Sequence, residues 1–171
     1  MEFTFETHYN TKTMTVMARA LRKTVRQKHS RRSHLFGWII VAVALMLMTS
    51  EGFELHLRAV VTLAAIAAIV IAMLFEDQIN GYAAKRRMLP GMEKAVSVFT
   101  QEGFTSTTGV GKTDWNYDRI ALVAETKEFF VFIFSQNHAQ LYDKAGLQGG
   151  TADDFRAFIE DATGKKVRMV R

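Results

Sequence analysis

The chain has no cysteine and a single proline, Pro90. Without thiols there can be no disulfide scaffold, no cysteine nucleophile and no cysteine-ligated metal. With so little proline to punctuate it, the pair Pro90-Gly91 marks a boundary. Charge is missing where it matters most for architecture. Residues 35–48 carry no charged side chain, and residues 59–75 hold Thr62 as their only polar one. At about 1.5 Å per residue the second run is about 26 Å long, close to the hydrocarbon thickness of a bilayer. The first is shorter, but Thr49 and Ser50 can extend its helix, and Trp38 suits the headgroup boundary at its other end. The two runs read as a transmembrane hairpin. Two buried helices of a soluble protein are the alternative, disfavoured because uncharged runs rarely stand back to back across a short loop in a domain of this size. A cleaved signal peptide fits less well, because residues 1–34 precede the first run and no small-residue cleavage site follows it.

Positive charge is plentiful and unevenly placed. Net charge is +5 and 22 residues are Lys or Arg. Arg22, Lys23, Arg26, Lys28, Arg31 and Arg32 precede the first run, and Lys85, Arg86 and Arg87 follow the second. The connecting loop, residues 49–58, holds Arg58 beside Glu51 and Glu54. Cytoplasmic flanks retain Lys and Arg, so both termini of a multi-pass cell-membrane protein are expected in the cytoplasm. The same placement argues for anionic lipid and against nucleic acid as the partner of the basic cluster. Three parts follow: an N-terminal strand and basic amphipathic helix over 1–34, the hairpin with a projecting helix over 35–89, and a cytoplasmic β-domain over 90–171.

Residues 2–8 alternate, with Phe3, Phe5 and Thr7 on one face, and predict a short strand. Its backbone needs partners, which the β-domain can supply once the hairpin returns the chain to the same side. From Asn10 the period becomes helical: Met14, Met17, Ala18, Leu21 and Val25 form one face, and Asn10 or Thr11 can cap it. The composition of residues 76–88 continues the second span as a projecting helix. Beyond Pro90, short strands alternate with turns at 101–103, 109–111, 126–128 and 136–137, the pattern of an antiparallel meander. Residues 129–134 are apolar throughout, so both faces of that strand require cover. One cover is the helix begun by Thr151-Ala152-Asp153-Asp154, whose apolar stripe is Phe155, Phe158, Ile159 and Ala162 and which ends at Gly164. The fold class is α+β: a two-helix transmembrane hairpin carrying an antiparallel β-roll closed by a C-terminal helix.

Candidate chemistry is sparse. Gly109-Val110-Gly111-Lys112-Thr113 has the end of a phosphate-binding loop, but Ser106 stands where its first glycine belongs and a strand follows, so it reads as a hairpin turn. The histidines His8, His29, His34, His56 and His138 include no i, i+4 pair, and Glu51, Glu54 and His56 make at most a weak surface metal site. Adjacent Asp153 and Asp154 suit a helix first turn, and Trp115 suits the core. Ala64, Ala68 and Ala72 repeat every four residues and allow close helix approach, either to Gly37, Ala42 and Ala44 of the first span or to a second copy. No catalytic residue, metal or cofactor is assigned.

The order of these parts resembles the YcxB-like family of bacterial membrane proteins. The similarity is carried by the N-terminal strand and basic helix, the hairpin, and Phe99-Thr100-Gln101-Glu102-Gly103-Phe104. It continues through Gly111-Lys112-Thr113-Asp114-Trp115 as far as Ile120, and into the terminal helix with Phe155 and Phe158. Where family members often have an Ile-Pro-Lys-like segment, this chain has Leu141-Tyr142-Asp143-Lys144. The resemblance implies a pleckstrin-homology-like C-terminal domain and a membrane-anchored module without a catalytic residue. The expected function is a non-enzymatic binding or scaffold module engaging a protein partner or a lipid headgroup, with Arg22, Lys23, Arg26, Lys28, Arg31 and Arg32 against the lipid. The alternative is an accessory subunit of a membrane enzyme or transporter complex.

Overall fold

The computed structural model describes residues 2–50 and 57–170. The first strand, β1 (Phe3–His8), leads into α1 (Thr11–Lys23), which is followed by α2 (Gln27–Ser50), α3 (Leu57–Leu74) and α4 (Glu76–Arg86). The remainder is β2 (Lys94–Phe99), β3 (Phe104–Thr108), β4 (Gly111–Trp115), β5 (Leu122–Glu125), β6 (Phe129–Ile133), β7 (Ala139–Asp143), β8 (Leu147–Gln148), α5 (Ala152–Thr163) and β9 (Arg168–Met169). The strands make two sheets, ordered β4-β3-β2-β1-β8 and β7-β6-β5-β9.

β1 pairs with β2 as the alternation at the N-terminus predicts, in antiparallel register with Phe5 opposite Ser97. Its Phe3, Phe5 and Thr7 all point inward and are buried. Phe3 and Phe5 meet Phe99 and Phe104 of the same sheet, Phe130, Phe132 and Tyr142 of the other, and Phe155 of α5 in one aromatic core. The Phe5 and Phe155 rings lie 4.6 Å apart, and Phe132 and Tyr142 4.8 Å apart, in edge-on contacts that favour aromatic pairs. α5 is fixed over this core by a capping box between Thr151 and Asp154 and ends at Gly164, whose φ of 64° is left-handed. The strand pairs β2–β3, β3–β4, β5–β6 and β6–β7 are antiparallel as expected, but the meander is divided between β4 and β5 into the two sheets, and residues 109–110 are a hairpin turn.

β6 is buried at every position. Phe130 and Phe132 face the aromatic core under α5, while Phe129, Val131 and Ile133 face Ala20 and Leu21 of α1. The second cover of β6 is therefore the N-terminal helix, whose apolar stripe is spent on the β-domain. α1 does not run on through Val25 toward the hairpin. The chain turns over residues 24–26, where Thr24 Oγ1 donates to the Ala20 carbonyl at 2.5 Å and the Arg26 amide returns to Leu21 O at 2.9 Å. Two short strands, β8 beside β1 and β9 running parallel to β5, complete the sheets.

α2 and α3 are long and apolar enough to cross a membrane. α3 has no buried residue, and Leu35, Phe36, Trp38 and Met46 on α2 are among the large apolar side chains left exposed. Their seam uses Gly37 and the buried Val41, and a Cβ added at Gly37 would stand 2.5 Å from Met73 Sδ. Gly37 thus makes the notch that seats Met73. Ala64, Ala68 and Ala72 remain exposed, so the alanine stripe is not the surface packed on α2. α4 continues α3 with only a slight break at Phe75, since the Phe75 amide reaches Ile71 O and the Ile79 amide reaches Phe75 O, each at 2.9 Å.

Candidate functional site

Two places gather polar or unsatisfied chemistry: the junction of the hairpin with the β-domain, and a cavity between α1, α4 and the first sheet. The junction is built where α1 lies against α4. Gly81 permits that contact, because a Cβ there would come within 2.6 Å of the Thr15 backbone. One turn away, the buried Asp77 carboxylate accepts from Arg22 Nε at 2.6 Å and Arg22 Nη2 at 2.7 Å, with Arg19 Nε at 3.3 Å. Burial alone would raise the Asp77 carboxyl, but the hydrogen bonds and charge of Arg22, seconded by Arg19, outweigh it and hold the group below its ordinary value. Its neighbour Glu76 accepts from Ser30 Oγ at 2.9 Å and lies 2.9 Å from His34 Nε2, which ties α4 to the first turns of α2.

The junction divides the basic cluster. Arg22 is engaged with Asp77, and Arg26 donates to Gln136 O at 2.6 Å and Asn137 Oδ1 at 2.7 Å in the turn between β6 and β7. These two hold the β-domain to the hairpin. Lys23 is exposed at the end of α1, and Lys28, Arg31 and Arg32 are exposed on the first two turns of α2, level with the base of the hairpin. Of the sequence-predicted cluster, Lys28, Arg31 and Arg32 are thus left to meet a surface.

The other candidates resolve structurally. Asp154 is a cap residue, and Asp153 Oδ1 accepts from Arg156 Nη1 at 2.6 Å. Trp115 packs on Phe104, Phe134 and His138, and its buried Nε1 has no partner. No group of three or more His, Asp or Glu that could hold a metal occurs among the described residues, and Glu51, Glu54 and His56 lie outside them. Glu125, unremarkable in the sequence, is fully buried and accepts from Lys144 Nζ at 2.5 Å and from Arg156 Nε and Nη2 at 2.6 and 2.7 Å. This clasp joins β5, the end of β7 and α5.

The cavity has a volume of about 360 Å³. Ala95, Ser106 and Thr108, the inward positions at one end of β2 and β3, form a wall of small and hydroxyl side chains. Met14 and Met17 of α1, with Met88, Leu89 and Met92 from the connection after α4, form the apolar wall opposite. Arg87 stands at its edge, and among the described residues its guanidinium makes no ion pair. Sequence reasoning had Met14 and Met17 on the apolar face of a helix and Arg87 as a topology charge, but not the cavity. The available signal was the string of small residues on the inner face of β2 and β3, where neighbouring inward positions are aromatic.

Residues 99–159 match the family model described as YcxB-like protein. The matched segment runs from the end of β2 through α5 up to Ile159, and so contains the aromatic core, β6 and the Glu125 clasp. No curated protein and no solved structure matches the chain.

Proposed function

We propose that this YcxB-like protein is a membrane-anchored, non-enzymatic binding module whose β-domain, pleckstrin-homology-like in character, engages a protein partner or lipid headgroups from the cytoplasmic face of the bacterial inner membrane. The observation that carries the reading is the pairing of β1 with β2. These strands lie on opposite sides of the apolar hairpin in sequence, so a single folded body holds both of its ends. A hairpin held in this way has its two ends on one side of a bilayer, and the excess of Lys and Arg on those flanks favours the cytoplasmic side. The Arg22–Asp77 pair and the close approach at Gly81 keep the domain at the base of the spans, beside exposed Lys28, Arg31 and Arg32. Each such charge near an anionic leaflet contributes about 1 kcal/mol. Ala64, Ala68 and Ala72, exposed on α3, are where the spans of a second copy would approach most closely.

The headgroup reading is tested by the anionic lipid that copurifies with the full chain. Wild type is expected to retain it at low salt and release it as salt rises, and the Lys28→Gln, Arg31→Gln, Arg32→Gln triple variant is expected to retain several-fold less. Equal retention by both would remove headgroups as the ligand. The protein-partner reading would then stand on photo-crosslinks formed in intact membranes from Val96 and Thr107, on the outer side of β2 and β3. An absence of any discrete crosslink there would remove it as well.

A further inference from the structure

The inner face of the first sheet changes character along its strands. Phe99 and Phe104 fill one end, whereas Ala95, Ser97, Ser106 and Thr108 occupy the other. Close packing would ordinarily fill such a gap with a large side chain. Here the chain places two long, flexible methionines from α1 and two from the connection after α4 across the gap, and about 360 Å³ stays open. That is the small end of the range for pockets that hold organic ligands. Methionine adapts to the shape of what it touches, so this wall suits an apolar chain or ring without demanding one outline.

Ser106 and Thr108 supply hydroxyls on the sheet wall, Tyr9, His138 and Gln140 also line the cleft, and Arg87 supplies a guanidinium, its one full charge, at the edge. Asp77 fixes Arg22, but among the described residues no ion pair engages Arg87, and the Glu93 carboxylate is turned to the Gly91 amide at 2.8 Å and to Lys85 at 4.0 Å. A cation beside an apolar cleft selects a molecule with a carboxylate, sulfonate or similar anion at one end. The cleft also stands away from the spans, because Arg87 closes the far end of α4, about 18 Å along the helix from Phe75. An acyl chain anchored in the bilayer cannot reach that depth while its tail remains in lipid.

We propose that this cleft is a binding site for a small, free amphipathic anion, its apolar portion against Met14, Met17, Met88 and Met92 and its anionic group toward Arg87. The proposal goes beyond the anchored-module reading and uses it only in excluding a bilayer-resident ligand. The binding itself requires only the packing of α1, α4, β2, β3 and β7.

The test uses the full chain in lipid nanodiscs with its methionine methyl groups labelled for NMR, titrated with decanoate and, separately, with decanol. Decanoate is expected to shift the signals of Met14, Met17, Met88 and Met92 saturably. Met46, Met48 and Met73 of the spans report simple partition into lipid and are expected to move little. Arg87→Gln, an exposed change that leaves the core intact, is expected to weaken decanoate at least tenfold while leaving decanol unaltered. Met88→Trp, which fills the cleft, is expected to abolish the shifts from both probes. No saturable shift with either probe in wild type would overturn the proposal. So would shifts confined to Met46, Met48 and Met73, a loss of decanoate binding too small to measure in Arg87→Gln, or signals that move with protein concentration in the absence of probe, which would mark a second copy as the occupant. A reversed membrane topology would leave the expected shifts unchanged, so the two proposals fail separately.

Discussion

Glu125 shows how much one side chain can hold in a small domain. Its carboxylate is fully buried and satisfied from two directions by Lys144 and Arg156. Burial acts to raise its pKa, but the hydrogen bonds and charges of Arg156 and Lys144 prevail and lower it below the ordinary 4.5. A carboxyl lowered on folding contributes stability that is complete above the unfolded value and is lost as pH falls through the folded one. Thermal unfolding is therefore expected to lose stability as pH drops below about 4.5, and Glu125→Gln to flatten that acid limb. Glu125→Ala leaves Lys144 and the partly exposed Arg156 without their anion and is expected to cost about 3 kcal/mol. A melting temperature unchanged by either substitution would contradict the clasp. Gly81 is the second such residue. Gly81→Leu must push the Thr15 backbone away and is expected to destabilise by about 1–3 kcal/mol, measured in the same melts, whereas Tyr82→Leu on the exposed side of α4 is expected to do little.

At the scale of elements, β1, the β2–β7 meander and α5 were legible because each carries its own local signal. These signals are the alternation of Phe3 and Phe5, the turn residues between strands, and the Thr151 capping box closed by Gly164. The unbroken apolar β6 also told that two covers were needed, and α5 could be named as one. The other cover was hidden. A stripe of Met14, Met17 and Leu21 states that a helix has an apolar face and says nothing of what the face meets, so a helix rich in Lys and Arg beside a span reads equally well as a surface helix. What decided it lay on another element, in Asp77 and Gly81 of α4, and no local pattern links residues so distant in sequence. The distinction is measurable. Leu21→Ala is expected to cost about 2–4 kcal/mol of β-domain stability as a core truncation. The Lys28→Gln, Arg31→Gln, Arg32→Gln triple variant is expected to leave stability within about 0.5 kcal/mol per site, as exposed positions do. The opposite ranking would return α1 to the lipid surface. The cavity was illegible for a related reason, since it arises where small residues of β2 and β3 face methionines from two other elements.

The whole molecule is an apolar hairpin inserted into a fold rather than placed before one. β1 and α1 precede the hairpin and yet supply Phe3, Phe5, Ala20 and Leu21 to cores otherwise built from residues after it. This arrangement makes the hairpin an excursion that starts and ends at one body, and it is the central claim. The absence of cysteine makes the claim directly measurable, because every introduced thiol is unique. Thr49→Cys at the far end of α2, and Glu2→Cys and Asn116→Cys in the β-domain, would each be exposed to a membrane-impermeant maleimide added to spheroplasts before and after permeabilisation. The account expects Thr49→Cys to label at once and both Glu2→Cys and Asn116→Cys to label only after permeabilisation. Labelling of Glu2→Cys and Asn116→Cys on opposite sides of the membrane, or of all three on the same side, would contradict it.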